Sequence, residues 1–244
     1  MSARQILLGT MVATTGIELA GAATWGLLNV PESSVPALLL SAVLAVLVPV
    51  ILGLATAVVL GITGGLSLPA AARRALPGLR GFAAGLVVLG LLWVVTTRLV
   101  DLWVAHAGEI DALFLRYAGT ASTAWLHTTV GWLLWLLCWG VGLAAIVGAT
   151  RAAVHEQGVL AGLTRAFSVR VLGTALGALL GGYALWSVVY WRPKGLPDDS
   201  AELMFVGAKL LVLYLVATFA SVVALAFAGG GTATAGDDTR SQRT

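Results

Sequence analysis

The sequence predicts an all-α fold, a polytopic membrane bundle of six transmembrane helices with both termini on the cytoplasmic side. Three observations predict it. First, 59% of the residues are hydrophobic and only 10% are charged, outside the range of ordinary soluble domains. Second, the apolar residues gather in six windows. The hydrocarbon core is roughly 30 Å thick, so a helix rising 1.5 Å per residue needs about 20 apolar residues to cross it. Third, arginine fills alternate gaps. Arg4 precedes the first window, Arg73, Arg74 and Arg80 fill the second gap, Arg151, Arg165 and Arg170 the fourth, and Arg240 and Arg243 the tail. The remaining gaps are mainly acidic, with Glu32, then Asp101, Glu109 and Asp111, then Asp198, Asp199 and Glu202. The positive-inside rule puts the arginine gaps in the cytoplasm.

The first window, Ile6 to Leu28, is interrupted by Glu18 and is longer than a signal-peptide core, so it is expected to be retained as a span. The second, Val35 to Ile62, follows a turn with Pro31 and Pro36 and contains Pro49, which is expected to kink it. The third and fourth run from Gly81 to Leu102 and from Ala124 to Ala149. Between them Ile110, Leu113, Phe114 and Tyr117 recur at helical spacing, with Glu109, Asp111 and Arg116 elsewhere on the wheel. That pattern predicts a short amphipathic helix lying flat on the outer leaflet, as an anchor, a lid or a docking face. The fifth and sixth windows are Val169 to Trp191 and Leu203 to Phe227, separated by a turn with Pro193 and Pro197. Continuous apolarity without period-two alternation excludes a β-barrel. Residues 1–228 are read as one domain, and 229–244, rich in Gly, Thr, Asp and Arg, as a disordered cytoplasmic tail.

The net charge of +3 does not point to nucleic acid, because the arginines lie at span ends where lipid headgroups account for them. The expected partners are the lipid bilayer and either another membrane protein or further copies of this chain. The single cysteine, Cys138, falls within a span and is expected to pack as a small hydrophobe.

Four polar residues inside or near the ends of spans are candidate functional groups. Glu18 falls roughly 15 Å below the outer surface and Lys209 roughly 9 Å below it, so the first and sixth helices are expected to be neighbours with Glu18 and Lys209 paired. Alternatively Glu18 serves as a proton or cation site. Arg98 and Asp101, at i and i+3, are placed to pair near the outer end of the third span. Trp125, Trp132 and Trp139 recur every seven residues with Trp135 beside them, forming either a stripe that stacks on a pigment, quinone, sterol or lipid chain, or a packing ridge. Gly173, Gly177 and Gly181 form a small-residue face for close helix packing, against this chain or a second copy.

No cofactor is expected. A buried haem needs axial imidazoles within the bundle, yet His106 and His127 fall near the outer surface and His155 in a cytoplasmic gap. His155 and Glu156 begin a zincin pattern that Val159 ends, and His106 with Glu109 lacks a third ligand. No Walker loop or Gly-x-Ser-x-Gly elbow occurs.

Ala72, Arg73, Arg74, Ala75, Leu76 and Arg80 lead toward Trp93 much as Leu163, Thr164, Arg165, Ala166, Phe167 and Arg170 lead toward Trp186. This is either a parallel duplication of spans two and three as spans four and five, or the common form of any basic turn. Over Leu66 to Trp93 and Gln157 to Trp186 the chain resembles the six-span membrane domain attached to some bacterial glycerophosphodiesterases, and related prokaryotic six-span families, but a tail stands where their catalytic domain would follow. The resemblance implies a membrane-embedded accessory role and carries over no functional residues. The expected function is therefore structural or accessory, in the inner membrane of a prokaryote, without catalysis. The alternative is a small transporter or channel subunit with a polar path through Glu18, Lys209 and Arg98.

Overall fold

The computed structural model describes residues 2–31, 34–118, 123–191 and 199–229. Among these residues the chain forms helices and no strand. In order they are α1 Ala3–Leu28, α2 Val35–Thr63, α3 Leu68–Arg73, α4 Ala75–Ala105, α5 Ala107–Ala118, α6 Ala124–Val154, α7 Val159–Ala166, α8 Val169–Tyr190 and α9 Asp199–Gly229. Six of them, α1, α2, α4, α6, α8 and α9, are long and apolar enough to cross a membrane. The chain is thus an integral, multi-pass membrane protein of the expected fold class. The end carrying α3 and α7 is called the basic end below, and the end carrying α5 the acidic end.

Helix starts follow local chemistry. Ser2 closes a capping box, its hydroxyl accepting from the Gln5 amide while the Gln5 side chain accepts from the Ser2 amide. Ser34 and Ser168 cap α2 and α8 in the same way with one bond each. Pro36 sits in the first turn of α2, where its missing N–H costs nothing, and Pro49 lies inside α2 without ending it. α4 begins six residues before the Gly81 start read from hydropathy, because Ala75 to Arg80 continue the helix beyond the apolar stretch. The short helix expected between the third and fourth spans is present as α5, with one correction to its face. Ala107, Ile110, Asp111 and Phe114 are half-buried, whereas Leu113 and Tyr117 are exposed. Turning Asp111 inward brings its carboxylate to a partner on α6.

The tail read as disordered, from residue 230 on, lies outside the described residues, as do Glu32, Pro193, Pro197 and Asp198.

α2, α4 and α6 form the centre, and small residues set their spacing. A Cβ added at Gly81 would meet the Ala149 carbonyl carbon at 2.7 Å, and one at Gly85 the Ile146 amide nitrogen at 2.8 Å. One at Gly162 on α7 would reach the Ala149 Cα at 2.8 Å. Such backbone approaches supply the van der Waals contact that holds helices together where lipid removes the hydrophobic drive. The fully buried side chains Val59, Leu60, Ile62, Thr150 and Val154 crowd the basic end.

α2–α3–α4 and α6–α7–α8 share one turn. Gly65 and Glu156 are the residues at positive φ, 97° and 59°. In the first turn the Gly65 amide donates to Ile62 O at 3.1 Å and the Leu66 amide to Gly61 O at 2.9 Å. In the second, Glu156 donates to Ala153 O at 3.2 Å and Gln157 to Ala152 O at 2.7 Å. These are Schellman caps. Every member of the second falls at one constant offset from its counterpart, and α3 and α7 start at that offset too. The two hairpins therefore repeat the cap, its register and the following short helix together.

Hydroxyls in the spans turn back on their own helices. Thr10, Thr24, Thr97, Thr150 and Thr218 each donate to the carbonyl four residues earlier, at 2.6–2.9 Å. This satisfies the hydroxyl locally where water is absent.

Candidate functional site

At the acidic end three helices converge on His127, in the first turn of α6. The Trp103 indole of α4 donates its Nε1–H to His127 Nδ1 at 2.9 Å, and His127 Nε2 lies 2.8 Å from Asp111 Oδ1 on α5. An indole N–H can only donate, so Nδ1 must carry a lone pair and the proton resides on Nε2, pointing at the carboxylate. The two bonds fix the orientation of the ring. Asp111 is held below the usual carboxylate range, first by the Thr123 side chain and then by His127, both bonding to its charged form. A Trp103–His127 edge contact with centroids at 5.6 Å joins α4 to α6, and a Phe114–Trp125 contact at 6.2 Å attaches α5 to α6.

Below this relay a cleft of about 670 Å³ opens between α6 and α8. His127, Thr128, Gly131, Trp132 and Trp135 line one side, and Ala178, Leu179, Gly182 and Tyr183 the other. Trp132 meets Trp135 and Tyr183 edge-on, with centroids at 5.6 and 4.9 Å. Gly131 and Gly182 would meet nothing if given a Cβ, so they widen the cleft rather than close a helix contact. The Thr128 hydroxyl is already bonded to Ala124 O at 2.9 Å. Among the described residues no Asp, Glu, Lys or Arg lines the cavity, and its volume falls in the middle of the usual range for ligand pockets.

The tryptophan series is therefore not one continuous stripe. Trp132 and Trp135 wall the cleft, Trp125 packs on Phe114, and Trp139 stacks edge-on against Trp93 of α4 at 5.9 Å. Seven residues fall about 20° short of two helical turns, so the series winds around α6 and meets three neighbours in succession.

The polar candidates lie apart. Lys209 is half-buried and donates to Val189 O at 2.7 Å and Trp191 O at 2.8 Å, capping the last turn of α8, with the Phe205 ring 5.5 Å away. A cation at a helix C-terminus suits both the orphan carbonyls and the helix dipole. The pairing expected between Glu18 and Lys209 is not formed: those carbonyls offer the ammonium partners closer than the carboxylate. α1 and α9 are neighbours nonetheless, joined by the Tyr214 hydroxyl, which donates to Thr14 O at 3.2 Å. Glu18 is exposed on α1, and among the described residues it has no ion pair. Arg98 and Asp101 do pair, at 3.9 Å, but both are exposed, a geometry worth little in water. Neither the cleft nor a second cavity between α1 and α2 is lined by any of these four residues.

Gly173, Gly177 and Gly181 would each meet nothing if given a Cβ, so they pack no helix of this chain. At the basic end Arg74 donates to Val154 O at 3.2 Å and pairs with Glu156 at 3.1 Å. The buried Nε2 of His155 finds no hydrogen-bond partner among the described residues.

The relay was the part that sequence reasoning missed. Its members lie 16 and 24 residues apart on three helices, and the only signal was that a histidine, a tryptophan and an acid share one end. Compared with protein-family models, curated proteins and solved structures, the chain has no match among any of them.

Proposed function

We propose that the protein is a non-catalytic, accessory component of the membrane that seats an uncharged amphiphile in the cleft between α6 and α8. One observation carries this reading: an aromatic-walled cleft of about 670 Å³ whose only titratable wall residues, among the described residues, are Tyr183 and a histidine already bonded at both nitrogens. A general base needs a free lone pair within reach of its substrate proton. His127 has none to offer without giving up Trp103, so it positions α5 and the cleft wall instead. With no formal charge lining the cavity, a phosphate or carboxylate inside would go unpaired in a medium that punishes unpaired charge. Edge-on indoles and the Tyr183 phenol, whose hydroxyl has no hydrogen-bond partner among the described residues, favour a neutral molecule with rings or unsaturation and a carbonyl acceptor.

The resemblance to accessory six-span domains supports the same class, and the arginine pattern supports an inner-membrane location with both termini cytoplasmic. The transport alternative receives no such support, since Glu18, Lys209 and Arg98 line neither cavity.

The test uses the full chain in nanodiscs with two diazirine-bearing lipids, a diacylglycerol and a phosphatidylglycerol, and mass-spectrometric mapping of the adducts. The diacylglycerol should label Trp132, Trp135 and Tyr183 at least fivefold above other lipid-facing positions, and Tyr183→Leu should cut that labelling severalfold. Even labelling along all spans, or preference for the anionic lipid, would overturn the reading.

A further inference from the structure

Glu18 lies on the side of α1 opposite the residues that pack into the bundle. Gly9, Gly16, Ala20 and Ala23 are buried against the rest of the chain, whereas Met11, Thr15, Glu18, Ala22 and Trp25 are all exposed. With Leu8 before them, these residues follow the alternating three-and-four spacing of a coiled-coil seam. Met11 is 59% and Trp25 71% exposed, large apolar surfaces at two ends of one stripe. The seam borders a second cavity of about 450 Å³ between α1 and α2, to which Leu8, Met11 and Thr15 also belong. A helix laid on α1 would therefore find a groove along one flank.

The carboxylate selects what that helix carries. An ionised group at this depth costs several kcal/mol unless it is paired. The nearby donors are spent: the Tyr214 hydroxyl on Thr14 O and the Lys209 ammonium on the last carbonyls of α8. A second copy of this chain is a poor occupant. Two copies in one membrane share an orientation, so a two-fold contact through α1 would set Glu18 against its equivalent, and like charges at that separation repel.

We propose that the open seam of α1 docks one transmembrane helix of another protein that bears a lysine or arginine level with Glu18. Small residues at Thr15 and Ala22 flank the carboxylate and admit a long basic side chain, and the single polar position fixes the register of the pair. The proposal is independent of the α6–α8 cleft.

The probe is a synthetic leucine–alanine transmembrane helix with one lysine about ten residues from its outer end, and a twin with leucine there. Each is labelled for energy transfer to a dye on Thr244→Cys in a Cys138→Ala background of the full chain, in lipid vesicles. The lysine helix should bind at least tenfold more tightly than its twin, Glu18→Gln should bring the two within twofold, and Ala22→Trp should abolish binding. Gly90→Trp, on an open face of α4, should leave binding unchanged. Equal binding of the two helices, a preference that survives Glu18→Gln, or no binding at all would overturn the proposal. So would energy transfer between two copies of the chain that Ala22→Trp removes, which would assign the seam to self-association.

Discussion

α4 and α8 hold the same place in two hairpins of like form, each the span that follows a short basic-end helix, yet their glycines do opposite things. Gly78, Gly81 and Gly85 of α4 all lie against other helices, Gly81 and Gly85 against the backbone of α6. Gly173, Gly177 and Gly181 of α8 lie against nothing. Of two helices placed alike in sequence, only α4 lies in the centre. The other stayed at the edge, which leaves room beside α6 for the cleft. The turns differ in the same sense. The first uses Gly64 and Gly65, while the second has His155 and Glu156 at the matching positions, so one hairpin keeps the plain version of a turn that the other has loaded with ionisable groups.

The sharpest way to break this comparison is to fill the glycines. Gly85→Leu drives a side chain into the α6 backbone, which cannot rotate away, and should cost about 3 kcal/mol in a detergent melt. Gly177→Leu should change the same melt by less than about 0.5 kcal/mol, since its surroundings are open. Equal losses would mean that α8 is as tightly packed as α4.

A smaller effect separates the turns. Gly65→Ala should cost about 1 kcal/mol, because an L side chain is strained at φ 97°. Glu156→Gly should nearly cancel, within about 0.5 kcal/mol: it relieves the strain at φ 59° but loses the Arg74 ion pair and frees the unfolded chain. Unfolding each variant in denaturant would show whether the two caps are equivalent.

The smallest effect is in pH. Burial first, and then the Arg151 and Arg74 cations, hold the His155 pKa below its ordinary 6.5. Between that lowered value and 6.5 the unfolded chain binds a proton that the folded state refuses, so stability falls as the pH drops through this window and levels off below it. His155→Phe, which keeps a ring against Gly64, should flatten that part of the curve, and an unchanged slope would show that another group titrates there.

Much of the fold was legible because lipid imposes a length rule that hydropathy reads directly: every span but α4 begins within four residues of its expected start, and five of the six finish within three residues of their expected last residue. The exception at the far end is α6, which runs on to Val154, with Thr150, Ala152, Ala153 and Val154 buried against the bundle. α5 was legible from its periodicity, though not the inward turn of Asp111, which a partner on another helix decides. The site was less legible for the same reason. Lys209 and Glu18 matched in depth, but depth says nothing about azimuth, and backbone carbonyls at the end of α8 are invisible to a search for opposite charges. Gly173, Gly177 and Gly181 carry a packing motif whose use depends on which face the bundle offers.

The threonines that bond back to their own helices have a consequence for which side chains can be exchanged. Thr10, Thr24, Thr97, Thr150 and Thr218 spend their hydroxyl protons on the carbonyl one turn behind, so replacing any of them by valine removes a bond within one helix and none between two.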